Sequence, residues 1–371
     1  MWLYLNIERL ETTVQTCFTN VMTDRTYFPI LKGKAGELGA VEELYDDVKA
    51  VIAPIIEITD VPWDFQAEDY AKTPEKHIDA FVESLAKKLI GIPFYVDLPE
   101  SLWDAELEDG THPLARVFAG IRENGLDGRP VIGADRPTEY SDVVKAIAET
   151  DGKGLCFRLS PEKANAENIN GLLSLFEVKP VDIDLLIDFE FITPTPDVYL
   201  LAFKGVFVAL PSRDEWRNII FGATAFPKDL SDIQSGTNTI PRSEWATWKK
   251  ITAEANMAGV KFADYAISHP QIVIMDPRIM TMSANIRYTT DEDWMILKGR
   301  GVKKHGFGQF TEHCETLIKS TAYKGESFSA GDKIIKECSL KKLGPGNATV
   351  WRKVGVNHHL TLVKSQIANP A

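Results

Sequence analysis

The stretch Tyr27 to Ile58 reads YFPILKGKAGELGAVEELYDDVKAVIAPIIEI. A short apolar run ends in Lys32 and Lys34, which flank Gly33. A segment with apolar residues at helical spacing follows, and then a second apolar run ending in Glu57. Strand, glycine-bearing turn, helix and strand in about 30 residues is the signature of a βαβ unit. The same alternation continues. IPFYVDL, RPVIGAD, GKGLCFRLS, VDIDLLIDF, RNIIFGATAF and VKFADYAI read as further strands, with helical segments between them. VYLLAFKGVFVAL reads as a strand or a helix, and its length favours a helix. Strands so continuously apolar suit a sheet covered on both faces. Eight of them predict a (β/α)8 TIM-like barrel over residues 22–270. A doubly wound open sheet is the alternative, but no GxGxxG turn follows the first strand.

Beyond residue 270 the pattern changes. SANIRYTT and WMILKG read as strands around an acidic turn, FGQFTEHCETLIKST as a helix, and GNATVWRKVGVNHHLTLV as further strands. Residues 271–371 are therefore expected to form a smaller, basic α+β appendage. From Lys298 onward there are 13 Lys/Arg and 5 Asp/Glu, a net of +8 in a chain of −12, so the preceding residues carry −20. That balance disfavours general attraction to a polyanion and allows a local basic surface. Residues 1–21 read as an N-terminal extension, either an added helix or the product of an upstream start codon. The four cysteines form no CxxC pair, no apolar run approaches the ~20 residues of a membrane span, and the start lacks signal-peptide character. A cytoplasmic protein with no membrane partner is expected.

Barrel chemistry belongs at the C-terminal ends of the strands. Those ends offer Lys32 and Lys34, Glu57, Asp97, Asp135, Arg158, Asp188, Thr224 and Asp264. Either they form a polar mouth, or they are ordinary loop residues and helix caps. If they form a mouth, Glu57, Asp97, Asp188 and Asp264 converge as oxygen ligands suited to Mg²⁺ or Mn²⁺. Lys34, Glu57, Asp188 and Asp264 are then the candidate catalytic residues, and Lys32, Arg158, Arg287 and His359 the candidate anion-binding ones. This predicts a metal-assisted phosphoester hydrolase or nuclease acting on a phosphate-containing small molecule or nucleic acid. Two alternatives stand beside it. The basic and aromatic run KGRGVKKHGFGQF suits a non-catalytic scaffold that binds nucleic acid or protein. A lysine at the end of strand one, before a glycine turn, suits a pyridoxal-phosphate barrel enzyme. His359 to Thr361 forms one His-x-Thr motif without the second that two-histidine phosphoesterases need; alternation along a strand explains it as well.

YFPILKGKAGE, IAPIIEI, LLIDFE, IPRSEW, FADYAISHP, NIRYT, GFGQF, YKGESFSAGD and GNATVWRKVGVNHHLTLV together resemble the protein beta family, found in bacteria and named after a phage protein. The resemblance runs from Tyr27 to about Val363. It implies a bacterial or prophage setting and, by association, a part in phage–host conflict. It carries no catalytic residues over, but it places Lys34, Glu57, Asp188, Asp264, Arg287, Gln309 and His359 inside matching motifs.

Overall fold

The computed structural model describes residues 22, 24–193, 197–272, 276, 278–279 and 282–369. The expected extension, residues 1–21, lies outside the described residues. Eight parallel strands form one sheet: β1 (Ile30–Lys32), β2 (Ile55–Glu57), β5 (Phe94–Asp97), β6 (Gly128–Ile132), β7 (Leu155–Leu159), β8 (Ile183–Phe191), β9 (Asn218–Thr224) and β11 (Lys261–Asp264). The numbers skipped are a small hairpin after β2, Trp63–Asp64 and Asp69–Tyr70 (β3 and β4), and Gly236–Pro241 (β10). The last strand returns to the first: Tyr27 bridges Phe262 in parallel, and the Phe28 N–H donates to the Phe262 carbonyl at 2.9 Å. The strand set is thus a nearly closed barrel, as the alternation predicts. The ambiguous segment after β8 is helical, Asp197–Val208.

Strand side chains alternate between two environments. Ile30, Ile55, Tyr95, Cys156, Leu186, Ile220, Ala263 and Tyr265 point into the barrel and pack with Phe28 and Val131. Leu31, Ile56, Val96, Phe157, Ile187 and Phe221 point outward, under the helices. Burying each large apolar side chain is worth roughly 1.5–3 kcal/mol, and these two shells are the main source of stability. The floor of the barrel is polar. Asp184 accepts from Arg217 at 2.6 and 3.0 Å, from Asn218 at 2.7 Å and from the Tyr95 hydroxyl. Gly33 lets the β1 turn close: a Cβ there would lie 2.6 Å from the Phe81 ring.

The C-terminal part contains the expected hairpin, β12 (Ser283–Thr289) and β13 (Asp293–Gly301), paired antiparallel. β10 joins β13 on its other edge, so a strand from between β9 and β11 completes this second sheet. Helices Gln309–Leu317 and Ala330–Ser339 cover it, the latter capped by Ser329, whose hydroxyl accepts from Asp332 N–H.

One expectation fails. GNATVWRKVGVNHHLTLV is a 21-residue helix, Ala348–Ala368, capped by Asn347. Val354 to Val363 are buried on every side of it. A helix buried all round shows no amphipathic period, and its β-branched residues imitate a strand. It packs against the first barrel helix, Ala35–Glu42, where Asn357 donates to the Ala40 carbonyl at 3.0 Å and Lys353 pairs with Glu43 at 2.6 Å. Gly355 permits close approach to β12, since a Cβ would meet the Arg287 carbonyl at 2.8 Å.

Candidate functional site

The inward parity that places Ile30, Ile55, Tyr95, Cys156 and Leu186 inside the barrel also places Lys32, Glu57, Asp97, Arg158 and Asp188 inside it, two residues on. Lys32, Glu57 and Asp97 are register partners across β1, β2 and β5. Arg158 stands at their centre. Its Nη1 donates to Glu57 at 2.9 Å and Asp97 at 2.8 Å. Its Nε and Nη2 donate to Asp188 at 2.9 and 2.7 Å, and Nη2 also reaches the Tyr265 hydroxyl at 2.8 Å. All five N–H groups of the guanidinium are used. Lys32 pairs with Glu57 and donates to the Pro270 carbonyl, while Arg136 pairs with Asp97 at 2.8 Å and stacks on Trp103.

Three cations therefore meet three carboxylates. Burial would raise the Glu57 carboxyl, but Arg158 and Lys32 outweigh it and hold the group below its ordinary value. Burial would likewise lower the Arg158 guanidinium, but Tyr265, Asp188, Glu57 and Asp97 hold it well above its ordinary value.

Asp264 does not join this cluster. Ala263 and Tyr265 face the barrel interior, so Asp264 between them faces out. There it accepts from Tyr27 at 2.6 Å and from His359 Nε2 at 2.8 Å, while His359 Nδ1 meets the Thr289 hydroxyl at 2.8 Å. Burial lowers the His359 imidazole, although Asp264 opposes that shift. Burial would raise the Asp264 carboxyl, but His359 and Tyr27 keep it below its ordinary value. All three members of this Thr–His–Asp line are sealed from solvent. They fasten the last helix to β11 and β12, and His359 meets no cleft. The neighbouring His358 is similarly enclosed, between Asp332 and the Thr289 carbonyl at 2.8 Å each. Gln309 bonds to backbone at Arg300 and Gly306 and braces the turn after β13.

Beside the filled mouth, between the barrel and the C-terminal part, lies a cleft of about 850 Å³. Among the described residues, Lys32, Lys34, Lys228, Arg287, Lys298 and Arg352 line it, with only Glu37 and Asp229 as carboxylates. Arg287 donates to the Ile267 carbonyl at 2.8 Å and lies over the Phe226 ring. Arg352 donates to the same carbonyl at 3.2 Å and to Ser268 Oγ at 2.7 Å. Lys298 donates to the carbonyls of Leu230 and Ile233, and Lys228 to Gln271 at 2.8 Å. Among the described residues, Lys34, Lys228, Arg287, Lys298 and Arg352 form no salt bridge with a carboxylate. Burial, with Arg352 nearby, pulls the Arg287 guanidinium well below its ordinary value. Desolvation, with Arg352 and Lys32 nearby, lowers the Lys34 ammonium despite Glu37. Burial raises the Glu37 carboxyl.

Of the residues expected from the sequence, the cluster unites Lys32, Glu57, Asp97, Arg158 and Asp188. The cleft unites Lys32, Lys34 and Arg287, and Asp264 and His359 meet elsewhere. Arg136, Glu37, Lys228, Lys298 and Arg352 were missed. Arg136 follows the fourth strand directly and was within reach of the strand-end rule; the others come together only in the tertiary fold. Asp135 pairs with Lys163 on an exposed loop. The carboxylates expected to hold Mg²⁺ or Mn²⁺ do not fit a metal ion: a guanidinium fills the centre between three of them, and the fourth faces away. Among the described residues no group of three or more His, Cys, Asp or Glu could hold one. Of the two lysines that could hold pyridoxal phosphate, the Lys32 ammonium is engaged by a carboxylate and a carbonyl, whereas Lys34 forms no salt bridge among the described residues and its ammonium is lowered by desolvation, so a Schiff base would fall to Lys34. No described helix is long and apolar enough to cross a membrane.

Solved structures with a likeness to the chain include an alanine racemase from Clostridium difficile 630 in complex with cycloserine, 12% identical at a TM-score of 0.34. The match covers 74% of this chain and 61% of the racemase, so the chain spans less than two thirds of that protein. A probable tagatose 6 phosphate kinase from Sinorhizobium meliloti 1021 is 10% identical at a TM-score of 0.36, over 91% of this chain and 83% of the kinase. None of the curated proteins matches. The model of the family described as Beta protein matches residues 27–365, which take in the whole barrel, the second sheet and most of the final helix. The chain belongs to the Beta protein family.

Proposed function

We propose that this protein binds a phosphate-bearing small molecule in the cleft between the barrel and the C-terminal sheet. The observation that carries the reading is the imbalance of its walls: six cationic side chains against two carboxylates, with five of the six making no salt bridge among the described residues. Keeping like charges together in a half-buried cleft is costly, and an anion relieves that cost. Cationic walls also suit phosphate through charge-assisted hydrogen bonds. The volume lies within the range of small-molecule sites, roughly 300–1,000 Å³. Ile267, Met282 and Trp351 add apolar lining for an organic moiety.

Isothermal titration of the full chain with pyrophosphate and with ADP tests this reading. One site per chain is expected, weakened by salt and by Lys34→Gln/Arg352→Gln. Absence of binding to either probe, or unchanged binding in the double variant, would sink it. Tight salt-dependent binding of single-stranded oligonucleotide with no binding of ADP would instead favour a nucleic-acid scaffold.

A further inference from the structure

The cleft contains one residue that contradicts its own electrostatics. Glu37, in the first turn of helix Ala35–Glu42, is only 4% exposed, yet it lines a cleft suited to anions. Its Oε1 accepts from Ser268 Oγ at 3.2 Å, and Ser268 in turn accepts from Arg352. Its Oε2 is buried with no hydrogen-bond partner among the described residues. An ionised carboxylate with one unsatisfied oxygen is expensive to bury, and it would repel an anion in the same cleft. A protonated carboxyl has the opposite character: its O–H is a donor that lacks only an acceptor.

Resting on the anion-cleft reading, we infer that Glu37 takes up a proton when the anion binds, so that a neutral carboxyl replaces a charge that would repel it. The residue thereby makes binding proton-linked. The groups that face Glu37 come from three elements: Lys32 and Lys34 from the β1 turn, Ser268 from the segment after β11, and Arg352 from the final helix, with Arg287 beyond it. The cations oppose protonation in the empty cleft, whereas burial favours it. A bound dianion offsets those cations and tips Glu37 to the neutral form. His269 also lines the cleft, and burial lowers its imidazole, so it is the competing proton acceptor. The proton passes from solvent to Oε2 with no other bond made or broken.

The direction of the linkage is fixed. An anion raises the affinity of Glu37 for its proton, so anion affinity is highest at low pH. It falls as pH rises through the window between the free and bound values, by at most about tenfold per pH unit for one proton. Sulfate is the probe, because its own charge is constant across that window. Calorimetric titration of the full chain in buffers of different ionisation enthalpy reads proton uptake directly, without any substitution. Uptake of up to one proton is expected, retained in His269→Asn and lost in Glu37→Gln, with the Gln variant binding sulfate with a flat pH profile. Zero uptake by the unsubstituted protein, or uptake surviving in Glu37→Gln, overturns the inference while leaving the cleft reading intact. Failure of sulfate, pyrophosphate and ADP all to bind overturns the cleft reading itself.

Discussion

Arg158 and Arg287 are two largely desolvated guanidiniums near one end of the same barrel, and they meet opposite fates. Arg158 spends every N–H on Glu57, Asp97, Asp188 and Tyr265, inside a cluster whose charges cancel. Arg287 has a carbonyl, an amide and an aromatic face, and its charged neighbours are another arginine and, more weakly, Glu37, with which it forms no salt bridge. The first arrangement is complete without a ligand. The second is not, and this is why the proposed anion site is placed there. Charge at the strand ends therefore does not single out a site by itself; the proposed anion site rests instead on charge the protein leaves uncompensated.

The strongest way to break this contrast is Arg158→Met. It removes the cation shared by three carboxylates and leaves Asp188 with no cationic partner, so a loss of about 3–5 kcal/mol is expected, read as the urea unfolding midpoint. A loss below about 1 kcal/mol would show that the cluster is wet and replaceable. Next in size, Lys34→Gln/Arg352→Gln removes two charged donors from the cleft. Each is worth about 1.5–3 kcal/mol to a bound anion, so pyrophosphate affinity should fall at least tenfold. The unfolding midpoint should move far less than in Arg158→Met. Comparable stability losses in the two variants would erase the distinction.

A buried carboxylate outside both regions sharpens the comparison. Burial pushes the Glu244 carboxyl up to about 8, against Arg242, whose Nε lies 3.7 Å away and makes no hydrogen bond. Glu57, gripped by Arg158 and Lys32, moves the other way. With its folded value raised, the stability contributed by Glu244 is full below about pH 4.5 and lost as pH rises through about 8. Glu244→Gln should flatten that decline, so the midpoint difference between variant and parent should grow from pH 5 to pH 8.5. A pH-independent difference would count against it. The smallest effect belongs to exposed Lys228 at the rim. Lys228→Ala should weaken pyrophosphate by no more than about threefold and lose its effect in high salt.

The barrel was legible because strands covered on both faces are apolar almost without interruption, and because Ile-Leu-Lys, Ile-Ile-Glu and Tyr-Val-Asp all end in the same polarity. Most of the mouth followed from those endings. Asp264 was misplaced by reading only that a strand ended in a charge. Counting two residues back from Tyr265 to Ala263 would have put Asp264 outside, since parity and not position decides which face a residue takes. The final helix was misread because burial on all sides erased its period. The cleft was illegible for a different reason. Lys34, Lys228, Arg287 and Arg352 are separated by up to about 320 residues, and no local pattern records that they share a wall.

That separation bears on how the molecule comes into being. Arg352 and the helix that presents it pack on the first helix of the barrel, through Asn357 and Ala40 and through Lys353 and Glu43. On the ribosome, the lysines of the β1 turn emerge long before their opposite wall has been translated. The nascent barrel must wait with the outer surface of its first helix uncovered until the last helix has been made. The complete cleft is thus a late product of synthesis, and premature termination before Arg352 would yield a chain unable to assemble it.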